Sequence, residues 1–116
     1  MANIALDETK RIPTERWDAW CDTFTNGNRR RPIRIEVVSD ELGAELLADG
    51  AALVALDYDP AGKDNNFVIS YGDEAAPSSH VIAKPVALWQ AQDENGLVVS
   101  LEIEDAGGSR MVVTLN

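Results

Sequence analysis

The first part of the chain carries apolar residues at the spacing of an amphipathic helix. They occur at positions i, i+3, i+4 and i+7, namely Trp17, Trp20, Cys21 and Phe24. This spacing places their side chains on one face. Pro13 stands at the entrance, and Asn26-Gly27 is a plausible C-terminal stop. The pattern predicts a helix from Thr14 to Asn26 that docks its aromatic face on the rest of the protein.

Beyond residue 31 the period changes to the alternation of half-buried strands. Val54, Leu56 and Tyr58 are expected to share one face. The predicted strands are Pro32–Val38, Leu53–Tyr58, Phe67–Tyr71, His80–Ile82, Val86–Gln92, Leu97–Ile103 and Met111–Leu115. Turn signals separate several of them, at Asp59-Pro60-Ala61-Gly62, Asp93–Gly96 and Ala106–Gly108. The segment Ser39–Gly50 fits a helix or a strand, and we favour a strand from Ala44 to Ala48.

The order of these elements predicts an α+β protein. Residues 1–11 read as a flexible lead-in, and residues 12–116 as a single domain. Short strands with regular turns are typical of a curled antiparallel sheet. We therefore expect the N-terminal helix to pack on a strongly bent antiparallel sheet of five or six strands, in a small SH3/Sm-like barrel.

The composition predicts the cellular location of the protein and says little about its activity. The chain has a formal net charge of −10 and a single cysteine, Cys21, so it forms no intramolecular disulfide. No signal-peptide pattern and no bilayer-length apolar run is evident. These features predict a cytoplasmic protein without a membrane anchor. The negative charge disfavours general nucleic-acid binding, because it repels phosphates.

Several segments in a fixed order resemble a known family. The residues are Ile12-Pro13, Trp17, Phe24, Leu42–Glu45, Leu53, the run Ala55–Pro60, His80–Ile82, Pro85, Gly108 and Met111–Val113. The chain resembles, over residues 12–115, a family of uncharacterised small bacterial proteins known as domain of unknown function 5335. That family has no established activity, so the resemblance implies architecture only. Asp57 followed by Asn66 is also similar to the first Sm signature, which implies a shape and no function.

The acidic turn and the lone histidine are one pair of candidate sites. Asp57, Asp59 and Gly62 match part of a calcium loop, but Ala61 and Val68 stand where two further ligands belong. We therefore expect a capped turn and no metal site. His80 could act as a general base oriented by Asp57 or Asp73, with Ser78, Ser79 or Cys21 as a nucleophile. The simpler interpretation is a structural histidine, and no catalytic residue is assigned.

The arginine cluster and one tryptophan are the remaining candidates. Arg29, Arg30, Arg31 and Arg34 could bind an anionic small ligand or nucleotide through bidentate contacts, or could simply follow the helix C-terminus, where the helix dipole favours cations. Trp89 is expected opposite the buried face of its strand, where it could contact a partner.

The leading functional hypothesis is a non-catalytic interaction or adaptor module. It would bind a protein partner or a second copy through an exposed sheet edge or the Trp89 side of Val86–Gln92. The alternatives are anionic-ligand binding at the arginines, a weak hydrolase using His80, and an acidic mimic of nucleic acid. No cofactor is expected.

Overall fold

The computed structural model describes residues 8–59 and 63–115. A single helix, α1 (Trp17–Asn28), follows a 3-10 turn at Thr14–Arg16. The strands are β1 (Glu8–Arg11), β2 (Pro32–Ser39), β3 (Gly43–Asp59), β4 (Asn66–Tyr71), β5 (Ser78–Ala83), β6 (Pro85–Gln92), β7 (Val98–Asp105) and β8 (Arg110–Leu115). Within this part of the chain, no helix is long and apolar enough to cross a membrane.

The strands form one open antiparallel sheet, and the predicted barrel of five or six strands is wrong. The described strands lie in the order β1-β6-β7-β8-β2-β3-β4-β5. A barrel requires hydrogen bonding between the first and last strands, whereas β1 pairs with β6 and β5 pairs with β4. The protein is mostly sheet with one short helix, so a fold of one helix on a small SH3/Sm-like barrel does not describe it.

Two segments differ from the expected elements. Residues 8–11 were expected in a flexible lead-in, but they form β1 and pair with β6 from Glu8↔Gln92 to Arg11↔Trp89. Residues 1–7 lie outside the described residues. The ambiguous segment before Gly50 is a strand, as favoured above, but it continues without a break into Leu53–Asp59 to give a β3 of 17 residues. The expected turn at residues 60–62 also lies outside the described residues.

Bulges bend β3 and change which of its residues face the core. Ile35 pairs with Ala48 and Glu36 with Leu46, so Leu47 is an extra residue, and a second shift falls at Gly50. Gly50 has φ +89°, a conformation that glycine adopts without strain. A further shift at Val54 breaks the alternation expected there. Leu53 and Leu56 are therefore the buried pair, and Val54 does not share their burial.

The core lies on one face of the sheet and includes the apolar side chains of α1. Its fully buried large side chains come from six strands, and the list is Phe67, Ile33, Ile35, Leu53, Leu56, Ile69, Leu88, Leu101, Ile103, Met111 and Val113. Burying each such side chain contributes about 1.5–3 kcal/mol. This core holds the strands on which the surface features described below are built.

Helix α1 packs against β3 and contributes apolar side chains to the core. Trp17 is 2% exposed, donates its indole N–H to the carbonyl of Ile12 at 2.9 Å, and has its ring 5.2 Å from Tyr58 and 5.1 Å from Phe67. Trp20 lies nearer the surface and donates to the Oε1 of Gln90 at 3.1 Å. On the aromatic face of the helix, Trp17 is therefore buried, whereas Trp20 is only partly buried.

The side chain of Thr25 on α1 forms hydrogen bonds with the backbone of β3 at a position where no neighbouring strand supplies them. The hydroxyl of Thr25 donates to the carbonyl of Leu56 at 3.1 Å and accepts from the Leu56 N–H at 3.0 Å. Both groups are buried, so leaving them without partners would be costly. The helix thereby covers one edge of the second half of β3.

Replacing Thr25 with valine should destabilise the protein by about 1–3 kcal/mol, because the shape is kept while two buried backbone groups lose their partner. Thr25→Ser retains the hydroxyl and is expected to cost less than half as much. Urea denaturation followed by far-UV circular dichroism measures both. A loss for serine as large as the loss for valine would contradict this expectation, because the methyl group would then contribute as much to stability as the hydroxyl.

Candidate functional site

The arginine cluster does not converge on one site. Arg30 pairs with Glu74, Nε to Oε1, at 3.1 Å. Arg31 donates from Nη1 to the Asn28 side chain at 2.6 Å and to the Val98 carbonyl at 3.1 Å. The guanidinium groups of Arg30 and Arg31 are thus directed to separate neighbours.

Arg34 lies on the outer face of β2, away from that pair. Its Nε is 3.6 Å from Glu36 and its Nη1 3.9 Å from Asp49. Arg29 is an exposed residue at the C-terminal cap of α1. The four arginines therefore lie at the end of α1, in the loop that follows it, and on the outer face of β2. In this arrangement they do not share an anion-binding pocket.

His80 and Asp57 lie on opposite faces of the sheet. His80 pairs with Ile69, and Ile69 with Leu56, so His80 belongs to the core-facing row. Asp57 pairs with Val68 and belongs to the opposite row, because neighbouring residues alternate in direction. Asp57 therefore cannot orient His80, and the other predicted acid, Asp73, accepts the N–H of Ala75 at 2.9 Å.

Burial sets the protonation of both candidate catalytic groups. Desolvation lowers the pKa of His80 below its ordinary value and raises the pKa of the Cys21 thiol to about 12, with Asp57, Asp22 and Asp18 adding to the second shift. Cys21 is 1% exposed, so its sulfur stays protonated near neutral pH and is a poor nucleophile.

The three residues that match part of a calcium loop are only partly described by the structure. Asp57 is exposed on β3 and Asp59 ends that strand, while Gly62 lies outside the described residues. Among the residues described, no three His, Cys, Asp or Glu side chains are grouped closely enough to hold a metal ion.

Trp89 lies on the outer face of β6 in a shallow groove. Its indole N–H donates to Oε1 of Glu104 at 3.1 Å, and the guanidinium carbon of Arg11 lies 5.7 Å from its ring centroid. Leu88, next to it, is fully buried, so Trp89 does lie opposite the core face. The indole is partly buried and already contacts neighbours on β1 and β7, which leaves little of it for a partner.

The first half of β3 leaves one edge of the sheet open. Residues 43–52 pair with β2 on one side, whereas β4 pairs with β3 only from Leu53 onward. Within the described residues, no strand pairs with the other side of residues 43–51. The hydrogen bonding of β3 with the β4 side ends at Ala52, whose carbonyl accepts the N–H of Gly72 at 2.8 Å. We call this side of residues 43–51 the open edge.

Exposed leucines lie on the open edge, at Leu46 and Leu47, and directly before it, at Leu42. Leu42 is 70% exposed, Leu46 52% and Leu47 36%. Residues 43–47 are all exposed, although a strand with one buried face would alternate. This part of β3 therefore projects beyond the core and is open to solvent on both faces as well as along its edge.

The open edge differs from the other uncovered backbone of the sheet. The second half of β3 is covered by Thr25 of α1, and β1 has only four residues. β5 is also an end strand with one neighbour, but it has only six residues, so its outer side is a shorter edge. Proteins protect long edges because unpaired backbone groups are a template for another strand. Along the open edge, the described features that disfavour pairing with another strand are the bulges and the acidic side chains of Glu45 and Asp49.

Sequence reasoning assigned no role to this segment. The adjacent leucines Leu46 and Leu47 within Ser39–Gly50 were the available signal. In a strand two neighbouring side chains point to opposite faces, so at least one of them must be exposed unless both faces are covered. The bulge that makes Leu47 an extra residue carries no recognisable motif.

Comparison with known proteins supports the resemblance noted in the sequence and supplies no activity. An uncharacterized protein of Aquifex aeolicus (strain VF5) is 28% identical over 107 residues, which cover 92% of this chain and 91% of that protein. No solved structure matches the chain. The profile of a family of unknown function matches residues 8–116, nearly the whole length, and the chain therefore belongs to that family, DUF5335.

Proposed function

We propose that this protein is a non-catalytic interaction module that binds an extended segment along the open edge. The observation that carries the proposal is the unpaired stretch of β3, in which backbone groups of residues 43–51 and the side chains of Leu46 and Leu47 are accessible together. Backbone groups supply the affinity in strand addition, and neighbouring side chains supply the specificity.

The energetic balance favours such an addition. The strand is already held by β2, so its own ordering cost has been met before a partner arrives. Burial of Leu46 and Leu47 adds an apolar contribution of about 25 cal/mol for each Å² removed from water. An incoming strand would therefore gain backbone hydrogen bonds and apolar contact from a preformed surface.

The other hypotheses lack comparable support. The arginines are directed to separate partners, Asp57 lies on the opposite face from His80, and Trp89 is engaged by Glu104 and Arg11. Nothing in the described structure favours an acidic nucleic-acid mimic over the interaction module. The open edge is therefore the surface on which we place the function.

Site-specific photo-cross-linking tests the proposal. A photoreactive phenylalanine analogue at Leu47 is expected to give discrete covalent adducts in the native host, because a partner strand would lie against it. The matched position is Leu97, which is 48% exposed but lies just before β7 in the β6–β7 connection. Adducts at Leu97 equal to those at Leu47, or none at Leu47, would contradict the proposed surface.

A further inference from the structure

We infer that the segment bound at the open edge is basic: a stretch of another protein in which two or more lysine or arginine residues flank an apolar one. This inference rests on the proposed function and adds the chemistry of the partner. It follows from the charges that surround the open edge.

The chain around β3 is acidic without interruption. Between Arg34 and Lys63 there is no lysine, arginine or histidine. The acids in this interval are Glu36, Asp40, Glu41, Glu45, Asp49, Asp57 and Asp59. A partner strand laid along residues 43–51 would therefore lie beside Glu45 and Asp49, and residues 43–51 themselves include no basic residue.

The acids nearest the open edge lie on both faces of the strand. Glu45 pairs with Val37, whose side chain packs against the core, so Glu45 is on the core-facing side of the sheet. Asp49 pairs with Arg34 on the outer side. Asp49 is 3.9 Å from Nη1 of Arg34, and the two side chains are 58% and 44% exposed. A pair this exposed is worth little, so both carboxylates can interact with an incoming cation.

Charge also argues against a second copy as the occupant. Each chain carries a net charge of −10, and two copies of β3 would bring Glu45 and Asp49 of each into one short interface. Like charges across neighbouring strands are destabilising, and charge complementarity governs both the rate and the selectivity of association. A basic segment gains from the field that repels a second copy.

The leucines define the remaining requirement. Leu46 pairs with Glu36 on the outer face and is 52% exposed, so an apolar residue of the partner can pack beside it. A purely polar basic tail would leave that leucine in water. The partner's pattern is therefore basic and apolar together, in an extended conformation.

Peptide titration tests this chemistry directly. The probe is an acetylated and amidated peptide of alternating lysine and valine, about eight residues long to match a strand. One comparison peptide has glutamate for lysine, and a second keeps the lysines but has proline at two central valines, which blocks strand pairing. Binding is followed by amide chemical shifts and by fluorescence anisotropy at several salt concentrations.

We expect the lysine–valine peptide to bind at least tenfold more tightly than either comparison peptide, with shifts confined to residues 43–52 and β2. The variant Glu45→Lys/Asp49→Lys should weaken binding at least tenfold. The matched variant Asp22→Lys/Glu94→Lys changes the net charge equally at exposed positions on α1 and in the β6–β7 connection, and should change binding less than twofold.

Equal binding of the proline peptide, or equal weakening in both variants, would overturn the inference, because attraction to the acidic surface alone would then explain the data. Failure of the lysine–valine peptide would also overturn it. If photo-cross-linking at Leu47 still captured a neutral partner or a second copy, the proposed function would stand and only the partner's basic character would be wrong.

Discussion

Replacing Trp17 with alanine should lower the free energy of unfolding by about 3–5 kcal/mol, the range for a buried aromatic side chain. Trp17 is 2% exposed and its ring contacts both Tyr58 and Phe67. It also donates to the Ile12 carbonyl, which ties the segment between β1 and α1 to the helix. Because domains of this size are stable by about 5–15 kcal/mol, the loss is a large fraction of the total.

Trp20→Ala on the same helix is the matched control. Trp20 stacks on Phe24 with ring centroids 5.1 Å apart but is only partly buried, so its loss should be about half that of Trp17 or less. Urea denaturation followed by far-UV circular dichroism avoids the change in tryptophan fluorescence. Similar losses for the two variants would contradict this expectation, because the outer aromatic stack would then hold α1 as strongly as Trp17 does.

The second large effect concerns binding and leaves stability unchanged. The double variant Leu46→Ser/Leu47→Ser should weaken association with the partner recovered by cross-linking by about 30-fold or more, since two half-exposed leucines contribute roughly 1–1.5 kcal/mol each when covered. The free energy of unfolding should change by no more than about 0.5 kcal/mol, as for surface substitutions generally. Sedimentation of the purified mixture and urea denaturation measure the two quantities.

The control for this variant is Val81→Ser/Leu97→Ser. Val81 is 51% exposed and Leu97 48%, which matches the exposure of the leucines on β3, but neither lies on the open edge. Association should stay within about twofold of the unmodified chain. Equal weakening in both double variants would mean that general surface hydrophobicity, and not the open edge, drives association.

Local patterning predicted the elements whose apolar residues follow one period. The i, i+3, i+4, i+7 spacing identified the helix, whose observed bounds are Trp17–Asn28 after a 3-10 turn. Alternation likewise identified β7 and β8, where Leu101, Ile103, Met111 and Val113 are all buried. In these segments one face is covered along the whole length, so burial and period agree.

Patterning was misleading where burial changes along one strand. The first half of β3 has no covered face, and the bulges at Leu47, Gly50 and Val54 shift the register three times. No alternation survives such shifts, so Ser39–Gly50 was ambiguous and Val54 was assigned to the wrong face. Residues 8–11 are a strand because β6 supplies the pairing partner, and that partner is distant in sequence.

The eighth described strand is β1, because the seven strands listed from the sequence pattern correspond to β2 through β8. With β1 and the continuous β3 included, eight strands form a sheet whose end strands β1 and β5 each have one neighbour. Closure depends on the total register shift around the sheet, which individual segments do not encode. Local sequence patterns therefore could not predict whether the sheet is open or closed into a barrel.

The candidate site depended on the same non-local facts. Sequence spacing could place His80 and Asp57 near each other along the chain, but only the register between β3, β4 and β5 separates them onto opposite faces. The arginines adjoin in sequence, yet their partners come from a loop, a strand end and β3. The open edge exists because β4 begins its pairing at Leu53.

Backbone hydrogen exchange at residues 43–52 tests the central claim most directly. In the isolated chain, the amides of this segment that are not bonded to β2 should exchange rapidly, because they lie on the open edge. In the complex recovered by cross-linking, the same amides should become protected while exchange in β7 and β8 stays as it was. Protection that appears elsewhere and leaves residues 43–52 unchanged would contradict the claim that this edge receives the partner.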